Sequence, residues 1–201
     1  AGGRIPPLIV GVQEGGIYRA YSGLPPELGQ REIAATNDPV QAIEWAAGTS
    51  RALSMAGFDL NLAPIADVAT LDSALSDRAF SDDPELVTAM TAASVRGCRQ
   101  GGVACATPYF PGLGAASGSI ADGPATVGLD AASLEIRDLA PFRAAIAEKV
   151  PAVVVSLALS PAYDPVTPAA RSPAIVGDLL RDQLRFKGVA ISDDLSAGTL
   201  A

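Results

Sequence analysis

The sequence contains no histidine, and this absence removes several kinds of active site at once. Histidine is the commonest general base and the commonest metal ligand in proteins. A Ser-His-Asp triad and a histidine-based zinc site are therefore excluded. Cysteine occurs twice, as Cys98 and Cys105. Two cysteines in 201 residues do not form a disulfide framework, so we expect two buried free thiols, Cys98 on a helix and Cys105 on the next strand.

Long apolar runs and basic clusters are also missing. The longest apolar runs have the length of a strand, so no transmembrane helix is expected, and no signal-peptide pattern opens the chain. The net charge is −8, which disfavours nucleic acid and anionic membranes as partners. With 49% hydrophobic and 18% charged residues, the composition is that of a globular domain.

Strand and helix patterns alternate along the chain. The apolar runs predict strands, and caps of the type Asn-Asp-Pro and Ser-Asp-Asp-Pro predict helix starts. A segment rich in Gly, Ala and Ser predicts a long loop over 112–128. We predict strands over 7–12, 59–66, 103–109, 152–159 and 188–192, and helices over 37–55, 81–101, 132–148 (bent near Pro141) and 172–188.

The order helix, glycine or proline, then apolar strand occurs four times and is typical of successive βα units. Strands that are apolar on both faces indicate a parallel sheet. We therefore predict an α/β protein resembling part of a (β/α)8 TIM barrel, with about five parallel strands in one domain, 1–201, incomplete at both ends. A closed barrel has eight strands, so unpaired sheet edges are expected to promote homo-oligomer formation.

The stretch CATPYFPGLG, residues 105–114, ends a predicted strand in a Pro-Gly turn. Loops at the carboxyl ends of strands usually carry the reacting groups of α/β enzymes. This turn contains no Lys, His, Asp or Glu. The turn therefore has the position of an active-site loop without the groups that titrate.

Six motifs occur in the order found in one enzyme family: PLIVGVQEGG, GFDLNLAPIADV, DRAFSDDPELV, GGVACATPYFPGLG, DLAPFRAAI and GVAISDDL. With them the sequence resembles the N-terminal barrel of glycoside hydrolase family 3, in its β-N-acetylglucosaminidase branch. The resemblance covers essentially all 201 residues. It implies retaining hydrolysis of N-acetylglucosamine-containing saccharides, no cofactor and no metal.

The resemblance implies a role for each of three acidic or basic residues. Asp193, in ISDDL, takes the position of the catalytic nucleophile, which would form a covalent glycosyl-enzyme intermediate; the alternative is that Asp193 or Asp194 caps a helix. Arg78, in DRAF, takes the position of a sugar-binding arginine; the alternative is a surface ion pair with Asp77, Asp82 or Asp83. Asp67 either contacts substrate or orders the loop that follows it, and we favour the second role.

Several positions depart from the family pattern. Val12 replaces a sugar-binding Asp, Pro108 and Tyr109 replace a Lys-His pair, and Leu113 and Leu157 replace histidines. Tyr109 is retained as a candidate substrate contact. The family's Asp-x-His general acid/base is also absent: Asp122 is the only carboxylate in its loop and has Pro124 two residues on. Asp122 is therefore the one candidate acid/base.

These departures predict a weakened or lost hydrolytic activity. They also predict a less polar mouth, which is the opening of the barrel at the carboxyl ends of the strands. Three functions stay open: an inactive carbohydrate-binding or regulatory module, a hydrolase with unusual machinery, and an interaction protein whose Pro108, Tyr109, Leu113 and Leu157 form an apolar contact surface.

Overall fold

A five-stranded parallel sheet forms the centre of the molecule. The computed structural model describes residues 6–196; the first residues of the chain, where a signal-peptide pattern was sought, lie outside this range. From edge to edge the sheet consists of β1 (Val10–Gly11), β4 (Leu60–Asn61), β5 (Ala104–Phe110), β6 (Ala152–Val155) and β7 (Val189–Ser192). Two further strands, β2 (Gln13–Gly15) and β3 (Tyr18–Arg19), form a separate hairpin. This sequential parallel order is that of a TIM-type barrel, and the predicted partial barrel is confirmed.

The helices alternate with these strands and start where local sequence signals place them. They are α1 (Gln30–Ala34), α2 (Pro39–Met55), α3 (Pro84–Gly101), α4 (Ala131–Arg137) and α5 (Leu139–Ala147), followed by a 3₁₀ turn (Ala169–Arg171) and a π-helix (Ala174–Gln183). The carboxylates of Asp38 and Asp83 accept hydrogen bonds from the first backbone N–H groups of α2 and α3. The predicted starts of both helices are therefore confirmed.

Other boundaries differ from the predictions. The strands predicted over 7–12, 59–66 and 152–159 are shorter in the structure, and the helix predicted over 172–188 is the shorter π-helix. The helix predicted over 132–148, with a bend near Pro141, is two helices in the structure: the break lies at Asp138, between α4 and α5, three residues before Pro141. An antiparallel hairpin, β2 (Gln13–Gly15) with β3 (Tyr18–Arg19), and α1 were not predicted.

The core lies between the sheet and its helices, and two glycines let α2 and α3 pack closely. A Cβ atom on Gly97 would lie 2.4 Å from the carbonyl oxygen of Ile43, and one on Gly101 would lie 2.3 Å from the Cβ of Ser50. Cys98, on α3, and Cys105, on β5, are buried free thiols, as predicted. The half-buried Trp45 packs edge-on against Phe80, at 6.2 Å between ring centroids, and its indole N–H donates to the carbonyl of Leu28 at 3.0 Å.

The two outer strands, β1 and β7, each have one neighbour within the described residues. Apolar side chains are exposed at both edges, with Leu8 74% and Val189 61% accessible. Over residues 6–196, every helix is too short or too polar to span a lipid bilayer.

Candidate active site at the carboxyl ends of the strands

Two cavities open at the carboxyl ends of the strands, and three residues line both of them. The first, here called the loop cavity, has a volume of about 330 Å³ and includes Arg78, Tyr109, Leu113, Asp193 and the loop residues Gly118–Ala121 in its lining. The second, the strand cavity, has a volume of about 300 Å³; its lining includes Val12, Glu14, Pro108, Tyr109 and Asp193. Tyr109, Asp193 and Asp194 line both cavities.

Asp193 stands immediately after the last strand. Its backbone N–H donates to the carbonyl of Val155 at 3.1 Å, which continues the pairing of β7 with β6 and holds the residue at the sheet edge. Burial raises the pKa of the Asp193 carboxyl above its ordinary value. Its Oδ1 atom accepts one hydrogen bond, from the N–H of Asp194 at 2.8 Å. Asp193 is thus a partly buried carboxylate that faces both cavities.

Asp194 orders the chain that follows β7. Its Oδ1 atom accepts from the N–H of Ser196 at 2.9 Å and from the hydroxyl of Ser196 at 2.7 Å. These two hydrogen bonds lower the pKa of Asp194. The carboxylate therefore stays ionised and acts as a local cap.

Arg78 forms an ion pair with Glu14. Its Nε and Nη2 atoms donate to the two carboxylate oxygens of Glu14 at 2.8 and 2.5 Å, and Nη2 also donates to the hydroxyl of Tyr109 at 2.8 Å. The guanidinium carbon lies 5.6 Å from the centre of the Tyr18 ring and 5.5 Å from that of Tyr109. The alternative of a surface pair with Asp77, Asp82 or Asp83 is wrong, because the partner is the buried Glu14.

Tyr109 connects this ion pair to the two cavities. Burial is the main cause that raises the pKa of its hydroxyl to about 12. The phenol is therefore neutral near pH 7, and its oxygen accepts from Arg78. Tyr109 provides an uncharged wall beside Asp193.

Asp67 holds the turn that carries Tyr109. Its side chain is completely buried, and its two carboxylate oxygens accept hydrogen bonds from the backbone N–H groups of Tyr109, at 2.9 Å, and of Leu113. Burial raises the pKa of Asp67 to about 7, although both hydrogen bonds oppose the rise. Asp67 lines neither cavity. This geometry supports the loop-ordering role and gives Asp67 no contact surface for substrate.

Asp122 lies outside the site. The residue is exposed and lines neither cavity, although its neighbours Gly118–Ala121 line the loop cavity. Its backbone N–H donates to the carbonyl of Ser119 at 3.1 Å, within a turn at the loop tip. The structure therefore brings Asp193, Arg78 and Tyr109 together and leaves Asp122 apart from them.

The five replaced positions do not share one pocket. Val12 and Pro108 line the strand cavity and Leu113 the loop cavity, whereas Leu157 is buried and lines neither. Pro108 and Leu113 are also buried. The predicted apolar contact surface is therefore wrong, because three of its four members are not on the surface.

Asp138 packs against the turn that carries Tyr109, and the sequence did not indicate this role. Its completely buried carboxylate pairs with Arg137 at 2.8 Å and lies under the turn, where a Cβ atom on Gly112 would come within 2.6 Å of the Asp138 Cβ. Burial raises the pKa of Asp138 to about 6. Asp67 is hydrogen-bonded to the turn, and Asp138 packs against it at Gly112.

A sequential parallel sheet with helices alternating between its strands defines a barrel-type α/β fold, with a carboxylate, Asp193, at the end of its last strand. The family model for the "Glycosyl hydrolase family 3 N terminal domain" matches residues 2–201. The chain belongs to glycosyl hydrolase family 3.

Proteins similar to this chain include several that are named β-hexosaminidase or β-N-acetylglucosaminidase. It is 37% identical to a β-hexosaminidase of Stenotrophomonas maltophilia over 201 residues, covering 94% of this chain and 58% of that protein. The structure of a glycoside hydrolase family 3 β-N-acetylglucosaminidase from Paenibacillus matches with a TM-score of 0.89 and 32% identity, covering 96% of this chain and 38% of that one. A β-N-acetylhexosaminidase from Beutenbergia cavernae matches with a TM-score of 0.87 and 30% identity, covering 96% and 60%. The chain thus spans 58% of the length of the Stenotrophomonas relative.

Proposed function

We propose that the loop and strand cavities bind an aminosugar residue of N-acetylglucosamine type, with Asp193 at the nucleophile position, and that the chain hydrolyses glycosides slowly or not at all. The names of its relatives support the substrate class. The observation that carries the proposal is that Asp193 and Arg78 line one cavity.

Binding rests on Arg78 and on the shape of the two cavities. Glu14 and Tyr109 use three of the five N–H donors of Arg78, and within residues 6–196 the two on Nη1 have no acceptor. These two donors point in different directions, so each suits a separate neutral oxygen, such as a ring hydroxyl or an N-acetyl carbonyl. The aromatic ring of Tyr109 adds an apolar wall of the kind that sugar rings pack against.

The expectation of slow hydrolysis rests on the other carboxylates that line the two cavities within residues 6–196, because neighbouring side chains already engage both of them. A retaining glycosidase needs a nucleophile and a separate acid for the leaving oxygen. Of the other carboxylates that line the cavities, Asp194 is kept ionised by Ser196 and Glu14 is paired with Arg78. General acid catalysis is worth about 10²–10⁴-fold, and we expect the rate to be lower by that factor.

The experiment measures binding and turnover on the same preparation. Binding of methyl N-acetyl-β-glucosaminide is followed by isothermal titration calorimetry, and turnover by release of 4-nitrophenol from its N-acetylglucosaminide. We expect saturable binding with slow or undetectable turnover, and weaker binding by Arg78→Met. Any residual turnover is expected to disappear in Asp193→Asn.

The control is Asp122→Asn, which removes the other candidate carboxylate. An unchanged rate in this variant is expected, because Asp122 lines neither cavity. Rapid turnover that Asp122→Asn abolishes would show that the loop closes over the site, and the proposal of slow hydrolysis would be abandoned. Absence of binding by every saccharide tested would overturn the proposed function itself.

A further inference from the structure

The charged groups that line the two cavities are strongly unequal in sign. Within the described residues they are one guanidinium, Arg78, and three carboxylates: Glu14, Asp193 and Asp194. Tyr109, which lies among them, is neutral. The site therefore carries an excess of negative charge.

The one cation cannot offset this excess, because it is already neutralised inside the protein. Glu14 is almost completely buried and takes Arg78 in a bidentate pair, with N–O distances of 2.8 and 2.5 Å. The rings of Tyr18 and Tyr109 lie within 6 Å of the same guanidinium and fix it further. An anionic ligand would meet a guanidinium whose charge is balanced at contact distance.

The remaining negative charge belongs to Asp193 and Asp194. Both residues line both cavities, so a ligand in either cavity lies close to these two negative charges. Asp193 is partly buried and, within residues 6–196, accepts a single hydrogen bond, through Oδ1. A carboxylate in such surroundings is stabilised by a nearby cation, because charges interact more strongly where water is partly excluded.

We propose that these cavities select saccharides by charge: they bind an aminosugar with a free, protonated amino group more tightly than its N-acetylated form, and they reject uronic acids. An ammonium group has three N–H donors and no acceptor, which matches carboxylates that form no salt bridge within residues 6–196. A carboxylate on the sugar would instead be repelled by Asp193 and Asp194. The inference rests on the proposed function, since it takes the two cavities as the saccharide site.

The test compares ligands that differ in one group, by isothermal titration calorimetry at low salt and about pH 6, where an amine keeps its proton. The first pair is methyl β-glucosaminide and methyl N-acetyl-β-glucosaminide. The second pair is methyl β-glucoside and methyl β-glucuronide. We expect the free amine to bind at least about tenfold tighter than the acetamide, and the glucuronide at least about tenfold weaker than the glucoside. Both ratios are expected to shrink at high salt, because the groups are partly open to solvent.

The key variant is Asp194→Asn, which removes one charge and keeps the oxygen that accepts from Ser196. Its exposed position leaves the fold intact, which the thermal melting curve checks. We expect the preference for the amine to fall at least threefold, by loss of one carboxylate at short range. The matched control is Asp72→Asn, an exposed carboxylate outside both cavities, for which the preference is expected to stay unchanged.

The failures of the two proposals are distinguishable. Saturable binding of the acetamide with no advantage for the amine would overturn charge selection and leave the saccharide site standing. An unchanged preference for the amine in Asp194→Asn would also overturn charge selection, because the preference would then not depend on the Asp194 carboxylate. Binding of none of the four ligands would overturn the proposed function together with this inference.

Discussion

Arg78 and Glu14 form a bidentate ion pair between residues 64 positions apart in the sequence. The pair ties the loop before α3 to the hairpin strand β2. Glu14 is 2% and Arg78 22% exposed, so the pair is largely withdrawn from water. We therefore expect it to contribute to the stability of the mouth without adding net charge.

Removal of one member of this pair is expected to destabilise the protein. Glu14→Gln should lower the free energy of unfolding by about 3 kcal/mol, because it leaves the guanidinium without its counter-ion. The double variant Glu14→Gln/Arg78→Met should recover part of this loss. Urea denaturation of both single variants and the double variant gives the coupling energy. A cost below about 1 kcal/mol for both single variants would mean that the pair behaves like an exposed one.

Asp67 is expected to make the stability depend on pH. Because burial raises its pKa to about 7, the folded state keeps a proton that the unfolded state, with a pKa of about 3.9, releases. The folded state thus binds more protons between about pH 4 and pH 7. The contribution of Asp67 to stability is full at the acid end of this window and is lost as the pH rises.

The variant Asp67→Asn isolates this effect from that of the other carboxylates. Asparagine has one carbonyl oxygen, so one of the N–H groups of Tyr109 and Leu113 loses its acceptor, at a cost of about 1–3 kcal/mol. Since Asn does not titrate, the stability difference between wild type and variant should narrow as the pH rises. Urea denaturation at several pH values measures this. A difference that widens with pH would show that Asp67 is ionised in the folded protein and stabilised by its two hydrogen bonds.

Gly114 is expected to be irreplaceable for steric reasons. A Cβ atom there would lie 2.1 Å from the carbonyl oxygen of Val68, which is a backbone atom and cannot move aside cheaply. Gly114→Ala should therefore cost about 3 kcal/mol or more. Gly118→Ala, four residues later, is the matched control: its Cβ meets nothing within 4 Å. The melting temperature of Gly118→Ala should equal that of the wild type. An equal fall in melting temperature in both variants would contradict the steric explanation.

The open edges of the sheet are expected to make the 201-residue chain self-associate. Strand β1 exposes Val10, at 42%, beside a backbone edge that has no neighbour among residues 6–196. Val10→Lys should shift the chain towards monomer in sedimentation velocity. Ile136→Lys, which replaces an exposed apolar residue of α4, is the control and should not. A wild-type chain that is monomeric at all concentrations would contradict the expectation.

The parts of the fold that local signals determine could be predicted from the sequence. Asp38-Pro39 and Asp83-Pro84 start their helices where the cap rules place them. The break between α4 and α5 could not be placed in this way. Pro141 has no N–H to donate to the carbonyl of Arg137, four residues earlier, which explains a disturbance of the helix there but does not determine the residue at which α4 ends. The hairpin strands are two or three residues long and show no alternation to detect.

The candidate site was predictable where a short motif determines position and not where tertiary contacts do. Asp193 follows the last strand, so its place at the sheet edge could be inferred from GVAISDDL. The partner of Arg78 could not be inferred, because Glu14 is distant in sequence and its burial is a property of the fold. The position of Asp122 depends on how a loop without helix or strand folds, which its Gly, Ala and Ser residues do not specify.

Trp45 is the sole tryptophan of the chain, and its environment gives the protein a built-in optical reporter. The indole touches Phe80 on one side, while its N–H is tied to Leu28, in the segment that leads from the β2–β3 hairpin to α1. The fluorescence of Trp45, excited selectively, therefore reports whether that segment stays docked on α2. Displacement of the hairpin on ligand entry would be visible as a red shift, without any label attached to the molecule.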